Sequence, residues 1–256
     1  MIESGPHIAV GLGDHVEEGS DDWRWEDELF KPARALFHQV PFYATRGNHE
    51  QNPKFFVDAY QYDLPKDPLG QTTYYSYTYG NAFFLVIDTM SLVCPMGDYV
   101  PYQWEYIQAA MASPEADAAT WRFAYSHEPA YSEAWPTFDG NPCMRDSVMP
   151  LLNEHGFHAY FSGHTHDYER AHVGNLLHYI SGGGGGGLDT WAREFEETKV
   201  VYLGHHFLRL DAGCDELKIE AVATDGSIID WVVISPDHQL LDEGTAEGLD
   251  GLMVTL

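Results

Sequence analysis

The sequence predicts an α/β sandwich, on three observations. Short apolar runs alternate with helical patterns through roughly the first two thirds of the chain. The last third replaces the helices with β-rich runs separated by turns. Four polar clusters each stand immediately after an apolar run. Alternating strands and helices followed by antiparallel strands are the pattern of a layered sheet structure with helices packed against it.

The elements follow in order. HIAVGL, residues 7–12, is an apolar run ending at Gly13-Asp14, which reads as a buried strand feeding a loop. WRWEDELFKPARALF, residues 23–37, sets Trp25, Leu29, Leu36 and Phe37 on one face of an amphipathic helix, blemished by Pro32. VPFYAT, residues 40–45, is a second buried strand that delivers Arg46-Gly47-Asn48-His49-Glu50, and a short helix is expected over 53–60. The segment 72–89 has a Gly80-Asn81 turn between two β-rich arms, the signal of a hairpin whose second arm ends at Asp88. Residues 101–112 read as a helix with Pro101 in its first turn.

TWRFAY, residues 120–125, is a strand ending at Ser126-His127, and a helix over about 146–155 leads to the strand FHAYFSG, 157–163, which ends at His164. Residues 172–183 read as a hairpin. The glycine run 182–187 cannot be core, and serves either as a linker or as a loop whose backbone nears a ligand. Strands are expected over 206–210, 216–222 and 227–234. This organisation is one domain over 1–234, followed by an acidic, weakly patterned tail, 235–256, expected to be a loose terminus. No internal repeat is present.

The formal net charge is −27, with 13 Lys and Arg against 40 Asp and Glu. Nucleic acid and anionic membrane surfaces are therefore excluded as expected partners, because no basic patch is available to neutralise phosphates at many points. The acidity reads as a solvated surface, high ambient salt being one setting that would screen its self-repulsion. A phosphate ester approaching this chain would be repelled by the global field, so a local cation is needed, and a bound metal ion is the obvious one. The three cysteines have no metal-ligand spacing. Cys94 and Cys143 both sit beside prolines in turn-like stretches, and either pair in a disulfide between loops or remain free thiols. No run of apolar residues is long enough to span a membrane as a helix.

The chemistry rests on the four clusters: Gly13-Asp14, Gly47-Asn48-His49-Glu50, His127, and Gly163-His164-Thr165-His166. In open α/β sheets the carboxyl ends of the strands converge on one edge, where ligands bind. Asp, Asn and His drawn from separate strands would meet there, an oxygen and imidazole donor set suited to Mn, Fe, Zn or Ni. A Gly-Asp after a strand is by itself commonly a turn, whereas all four clusters in this order are hard to obtain without a metal site.

In this order the clusters resemble four of the five signature blocks of the calcineurin-like metallophosphoesterases, and the continuation Asp167-Tyr168-Glu169-Arg170 resembles the purple acid phosphatase form of the last block. The resemblance runs from about residue 7 to about residue 234. It implies the α/β/β/α sandwich of that superfamily and a site for two transition-metal ions, Fe, Mn or Zn. Asp14 would bridge the two ions. Asn48, His127 and His164 would complete the second ion's ligands, and His166 would bind the first. His49 would donate a hydrogen bond or proton to the leaving oxygen, with Glu50 orienting its ring.

The implied activity is hydrolysis of small phosphate monoesters by metal-activated water, acid phosphatase-like. A phosphodiesterase and a non-catalytic metal- or phosphate-binding remnant are the alternatives. Tyr131, Trp135 and Phe138 either line the mouth of such a site or simply pack their loop. An extracellular or periplasmic location would follow from the same resemblance.

Two departures matter. The superfamily's first block is an Asp on a strand of its own upstream of the bridging Asp, followed by a helix, and only thirteen residues precede Asp14 here. That strand and helix are expected to be missing, leaving the first metal with Asp14 and His166, too few for tight binding. The chain is accordingly expected to be a fragment of a longer protein or to start at an internal methionine. Purple acid phosphatases also carry a tyrosine ligand at the position of Glu17, so no purple colour is expected, and Glu17 is considered as a substitute oxygen ligand.

Overall fold

A parallel pair opens the fold: β1 (Ala9–Gly11) lies beside β2 (Phe42–Ala44), with Val10 opposite Tyr43. The computed structural model describes residues 5–62, 73–92 and 102–249, and the backbone of 252–254. Between β1 and β2 the chain forms α1 (Asp22–Arg24), a π-helical turn (Trp25–Phe30) and α2 (Arg34–Phe37). The single helix expected over 23–37 is thus broken at Pro32, which has no N–H to donate and displaces the preceding turn. Trp25 and Leu29 are buried as expected, with Val16 and the partly buried Phe37. The break turns Leu36 away, and Phe30 takes its place in the cluster.

The helix expected over 53–60 is α3 (Pro53–Tyr60): the Asn52 side chain caps it by accepting the Lys54 amide, and Pro53 occupies its first turn. The hairpin forms from β3 (Tyr75–Tyr79) and β4 (Ala82–Val86), closed at Gly80 with φ +59°. Helices α4 (Tyr102–Met111) and α5 (Pro114–Ala118) lead to β5 (Trp121–Tyr125). A π-helical turn (Met144–Val148) runs into α6 (Met149–Glu154) and then β6 (Ala159–Ser162).

The remaining strands are β7 (Tyr168–Val173), β8 (Leu176–Ser181), β9 (Thr198–Tyr202), β10 (His206–Ala212), β11 (Leu217–Ala223), β12 (Ile228–Ile234), β13 (Leu240–Thr245) and β14 (Leu252–Val254). They build an eight-stranded sheet ordered β14-β9-β7-β8-β6-β5-β4-β3, and an antiparallel four-stranded sheet ordered β10-β11-β12-β13. β4, β5, β6 and β8 are parallel neighbours. Among the described residues β1 pairs only with β2.

Side-chain alternation decides the layers. In β4, Phe84 and Val86 face one way, where they meet Leu217, Ile219 and Val232 of the four-stranded sheet and Val10 and Tyr43 of the short pair. Phe83 and Leu85 face the other way, against Ile107 and Met111 of α4 and Leu152 of α6. On the short pair, Phe42 turns its ring to Phe37 of α2 and Tyr60 of α3. Helices therefore cover the outer face of the eight-stranded sheet and, on the second layer, the short pair, in the expected α/β/β/α sandwich.

Two expectations about strands are corrected. Residues 168–171 belong to the first arm of the 172–183 hairpin, because Glu169 and Arg170 are buried with partners although they read as polar. The tail expected to be loose forms two strands within its described residues. β13 pairs with β12, and β14 pairs with β9. β13 carries exposed Leu240 and Leu241 and the acidic Asp242 and Glu243, so it shows no alternation; Glu243 is held by Arg170, and Asp242 by the Trp231 indole.

Cys143 is disulfide-bonded and Cys214 is free and exposed, while Cys94 lies outside the described residues. The expected position of Pro101 in the first turn of α4 likewise lies outside them. No helix among the described residues is long and apolar enough to cross a membrane.

Candidate metal centre

Two parallel pairs, β1 beside β2 and β5 beside β6, carry the site at their carboxyl ends: Asp14 follows β1, Asn48 follows β2, His127 follows β5 and His164 follows β6. The turns that present them are tight. Gly13 has φ +88°, and a Cβ there would stand 2.5 Å from His127 Nδ1. A Cβ on Gly47 would stand 2.2 Å from Asp14 Oδ1. Only glycine lets these backbones approach so closely. Asp14 and His164 themselves adopt left-handed conformations, with φ +52° and +69°, a strain of the kind stored at functional sites.

The side chains converge on one atom. His127 Nδ1 bonds the Leu12 carbonyl at 2.8 Å, which fixes the ring and turns Nε2 inward. Nε2 lies 3.0 Å from Asp14 Oδ2, 3.1 Å from Asn48 Oδ1 and 3.1 Å from His164 Nδ1. Three of the four residues, Asp14, His127 and His164, form a group whose candidate ligand atoms lie within 4.8 Å of one another. A carboxylate, an amide oxygen and two imidazole nitrogens packed lone pair to lone pair need a proton or a cation between them. Tetrahedral ligands at bond lengths of about 2.1 Å sit about 3.4 Å apart, so the donor set and its spacing fit a transition-metal ion.

The charge states agree with this. Burial alone would raise Asp14, but the hydrogen bond and charge of His127 and the His49 amide outweigh it and hold the carboxyl down at about 2. Burial and the neighbouring His127 push His164 down to about 4, leaving its ring neutral with a lone pair to give. For His127 burial is outweighed by the hydrogen bond and charge of Asp14, and its pKa rises.

His49 and His166 stand beside this cluster. His49 Nδ1 bonds the Glu17 carbonyl at 2.7 Å, and its Nε2 is 4.0 Å from Asp14 Oδ2. Its pKa is raised: burial opposes, but the Glu17 carbonyl and the Asp14 charge prevail. His166 Nδ1 bonds the Gly187 carbonyl at 2.6 Å, while its amide donates to Asp189 Oδ2 at 2.8 Å. A Cβ on Gly186 would meet the His166 ring at 2.7 Å. The glycine run is thus a loop whose backbone closes on the site, one of the two roles the sequence left open for it. His166 is not part of the convergent group and lines the same pocket, with Asp14, Asn48, His49, His164, Trp135 and Asp189, over about 370 Å³ of empty space that includes open solvent.

One expected role is corrected. Glu50 does not orient the His49 ring. Its buried carboxylate accepts the amides of Asp14, His15 and Gly47, because the chain turns after Gly47 and drives the side chain back beneath both loops. Burial would raise this carboxyl, but the His15 ring and the Gly47 amide help hold it below the usual range against the charge of Asp14. Glu17, considered for the other ion, is exposed and lies outside the group of Asp14, His127 and His164; its backbone carbonyl accepts from the His49 ring.

Three residues escaped sequence reasoning. Asp189 lines the pocket, and its only signal was its position after the glycine run. Arg46, buried, forms an ion pair with buried Asp88 at 2.9 Å and donates to the Gln51 carbonyl, clamping the loop that carries Asn48 and His49. Arg193 donates to the carbonyls of Ser132, Ala134, Trp135, Pro136 and Phe138. Nothing in the local sequence marks these two arginines, since their partners are distant in the chain. Trp135 and Phe138 pack on His164, with ring centroids 5.1 and 4.7 Å away, whereas Tyr131 packs on His178 and Phe195.

A family profile described as Calcineurin-like phosphoesterase matches residues 2–168. Purple acid phosphatase 15 of Arabidopsis thaliana is 28% identical over 148 residues, covering 53% of this chain and 26% of that protein. Purple acid phosphatase 18 of the same plant is 24% identical over 209 residues, covering 75% of this chain and 46% of that protein. The fold resembles a purple acid phosphatase from yellow lupin (Lupinus luteus) seeds with a TM-score of 0.78 at 20% identity, over 91% of this chain and 47% of that one. The chain thus spans from about a quarter to about half of these relatives' lengths.

Proposed function

The chain belongs to the calcineurin-like phosphoesterase family, and on that premise we propose that it hydrolyses phosphate monoesters with metal-activated water, as an acid phosphatase-like enzyme. The observation that carries this is the convergence of Asp14, Asn48 and His164 on His127 Nε2 at 3.0–3.1 Å. These four residues would hold the metal, with Fe, Mn and Zn all suited to the donor set. His166 stands by as a ligand of a second, weaker site. A metal ion bound there supplies Lewis-acid chemistry, lowering the pKa of water and neutralising charge on phosphoryl oxygens.

The protein's own groups do the rest. His127 is locked by the Leu12 carbonyl, so its Nε2 lone pair is presented without rotation. His49, with Nδ1 committed to the Glu17 carbonyl, keeps a proton on Nε2 beside Asp14, in place to protonate a departing alkoxide. Glu50 acts as a positioning residue, holding the Asp14 and Gly47 turns in register. An extracellular or periplasmic location belongs to the same proposal and is supported by the disulfide-bonded Cys143, since disulfides persist in oxidising compartments.

Assay of the purified full chain with p-nitrophenyl phosphate and bis(p-nitrophenyl) phosphate, each with added Mn, Fe or Zn, tests the proposal. Turnover of the monoester that is abolished by a chelator is expected. Preference for the diester would replace it with a phosphodiesterase, and no turnover of either would leave a metal-binding protein.

A further inference from the structure

Among the described residues that line the pocket, Trp135 is the one apolar side chain. It is half-buried, with its ring 5.1 Å from His164 and 5.7 Å from Phe138. Its backbone is left-handed, φ +62°, a conformation bulky side chains rarely adopt and one that persists only where the surroundings impose it. The surroundings here are Arg193, which holds five carbonyls of the loop 132–138, and Thr190, whose carbonyl accepts the Trp135 amide at 3.2 Å. Glu169 binds the amides of Glu133 and Ala134 from below. The indole is therefore a fixed wall, and a fixed aromatic surface costs little further ordering when a ligand stacks on it.

The charges around it are one-sided. No lysine or arginine is among the described residues that line the pocket, and Asp189 adds a carboxylate. A substrate carrying a second phosphate would find no lysine or arginine for it among the described lining residues, in a chain of formal charge −27. On the loop that pairs with the Ala134–Trp135 segment, Leu188 and Trp191 flank this region with 39% and 44% of their surfaces exposed. Apolar surface at the mouth and the lack of lysine or arginine among the described lining residues favour a leaving group that is flat and uncharged.

We propose that Trp135 is the specificity-determining residue of this site, stacking on the leaving group and selecting esters that carry one phosphate on an aromatic alcohol. This inference rests on the phosphoesterase reading for its chemistry, but its test does not rest on turnover alone.

The test compares binding of phenylphosphonate and methylphosphonate, neither of which is hydrolysed, to the manganese-loaded full chain by calorimetry. The wild type is expected to favour phenylphosphonate about tenfold, the scale of one aromatic contact. Trp135→Ala is expected to bring the two to parity, and Trp135→Phe to keep most of the preference, which separates stacking from a loss of fold. In parallel, the ratio of kcat/KM for 1-naphthyl phosphate to that for glycerol 2-phosphate should fall about tenfold in Trp135→Ala, a comparison across variants that cancels intrinsic leaving-group reactivity. If neither ester is hydrolysed while the phosphonate preference holds and depends on Trp135, the phosphoesterase reading fails and the role of Trp135 stands. Equal phosphonate affinities in the wild type, no binding of either, or an unchanged preference in Trp135→Ala overturns the inference.

Discussion

The carboxylate of Glu50 accepts the backbone amide of Asp14 at 3.0 Å, joining two loops that are 36 residues apart in the chain. The same carboxylate takes the amides of His15 and Gly47, so the metal-facing positions of Asp14 and Asn48 are set by one buried side chain. Residues that hold ligands in place typically cost 10–100-fold in metal affinity when changed. Glu50→Gln, which keeps one acceptor oxygen, is expected to weaken manganese binding about tenfold, and Glu50→Ala about a hundredfold. Titration calorimetry of the folded variants checks this, and wild-type affinity in Glu50→Ala would remove Glu50 from the site's support.

His49 is expected to act on the leaving oxygen and to contribute nothing as a ligand. His49→Ala should lower kcat by about 10²–10⁴-fold while metal content is unchanged. The loss should shrink with leaving groups that need no proton. A variant that loses its metal as well would show that His49 supports the ion.

His178 is fully buried in β8, its Nε2 accepts the Ala130 amide at 3.4 Å, and burial pushes its pKa down to about 3. The unfolded chain takes up this proton near pH 6.5 and the folded chain only near 3. The stability His178 allows at neutral pH is therefore lost as the pH falls between those two values, by at most about 1.4 kcal/mol per pH unit. His178→Gln is expected to be less sensitive over that range. Urea denaturation of both proteins between about pH 6.5 and 4 reads it. A wild-type-minus-variant difference that stays constant with pH would rule the buried neutral histidine out.

Arg170 and Asp230 tie the two large sheets together: the Arg170 Nε–Asp230 Oδ2 distance is 2.7 Å, and both side chains are almost wholly buried. Removing one partner strands the other charge, at a cost of about 3–5 kcal/mol. Asp230→Asn and Arg170→Met should each lower the midpoint of thermal unfolding markedly, and the double change to apolar residues should cost less than the sum. Additive losses would mean the pair is not coupled.

The fold was legible where the sequence pattern and the burial agree. The run 53–60 carries its own cap in Asn52, and the hairpin around Gly80-Asn81 its own turn, so both form where local chemistry predicts. β7 and β13 were hidden for opposite reasons. β7 buries charged residues that only distant partners satisfy, and β13 is an edge strand exposed along most of its length. The convergence of Asp14, Asn48, His127 and His164 was legible because each residue follows an apolar strand. The role of Glu50 was not, because its partners are backbone amides of a loop from another strand. Arg193 escaped for the same physical reason: an arginine bonding carbonyls some 55 residues away leaves no local trace.

The most direct test is metal content. The purified full chain and Asp14→Ala would be incubated with manganese, iron or zinc, desalted, and analysed by inductively coupled plasma mass spectrometry, with circular dichroism to establish folding. One tightly held ion per wild-type chain, absent from folded Asp14→Ala, is the predicted result. A folded wild type that holds none of the three metals, or an Asp14→Ala variant that holds the same ion equally well, would contradict the assignment of the cluster around His127 as a metal centre.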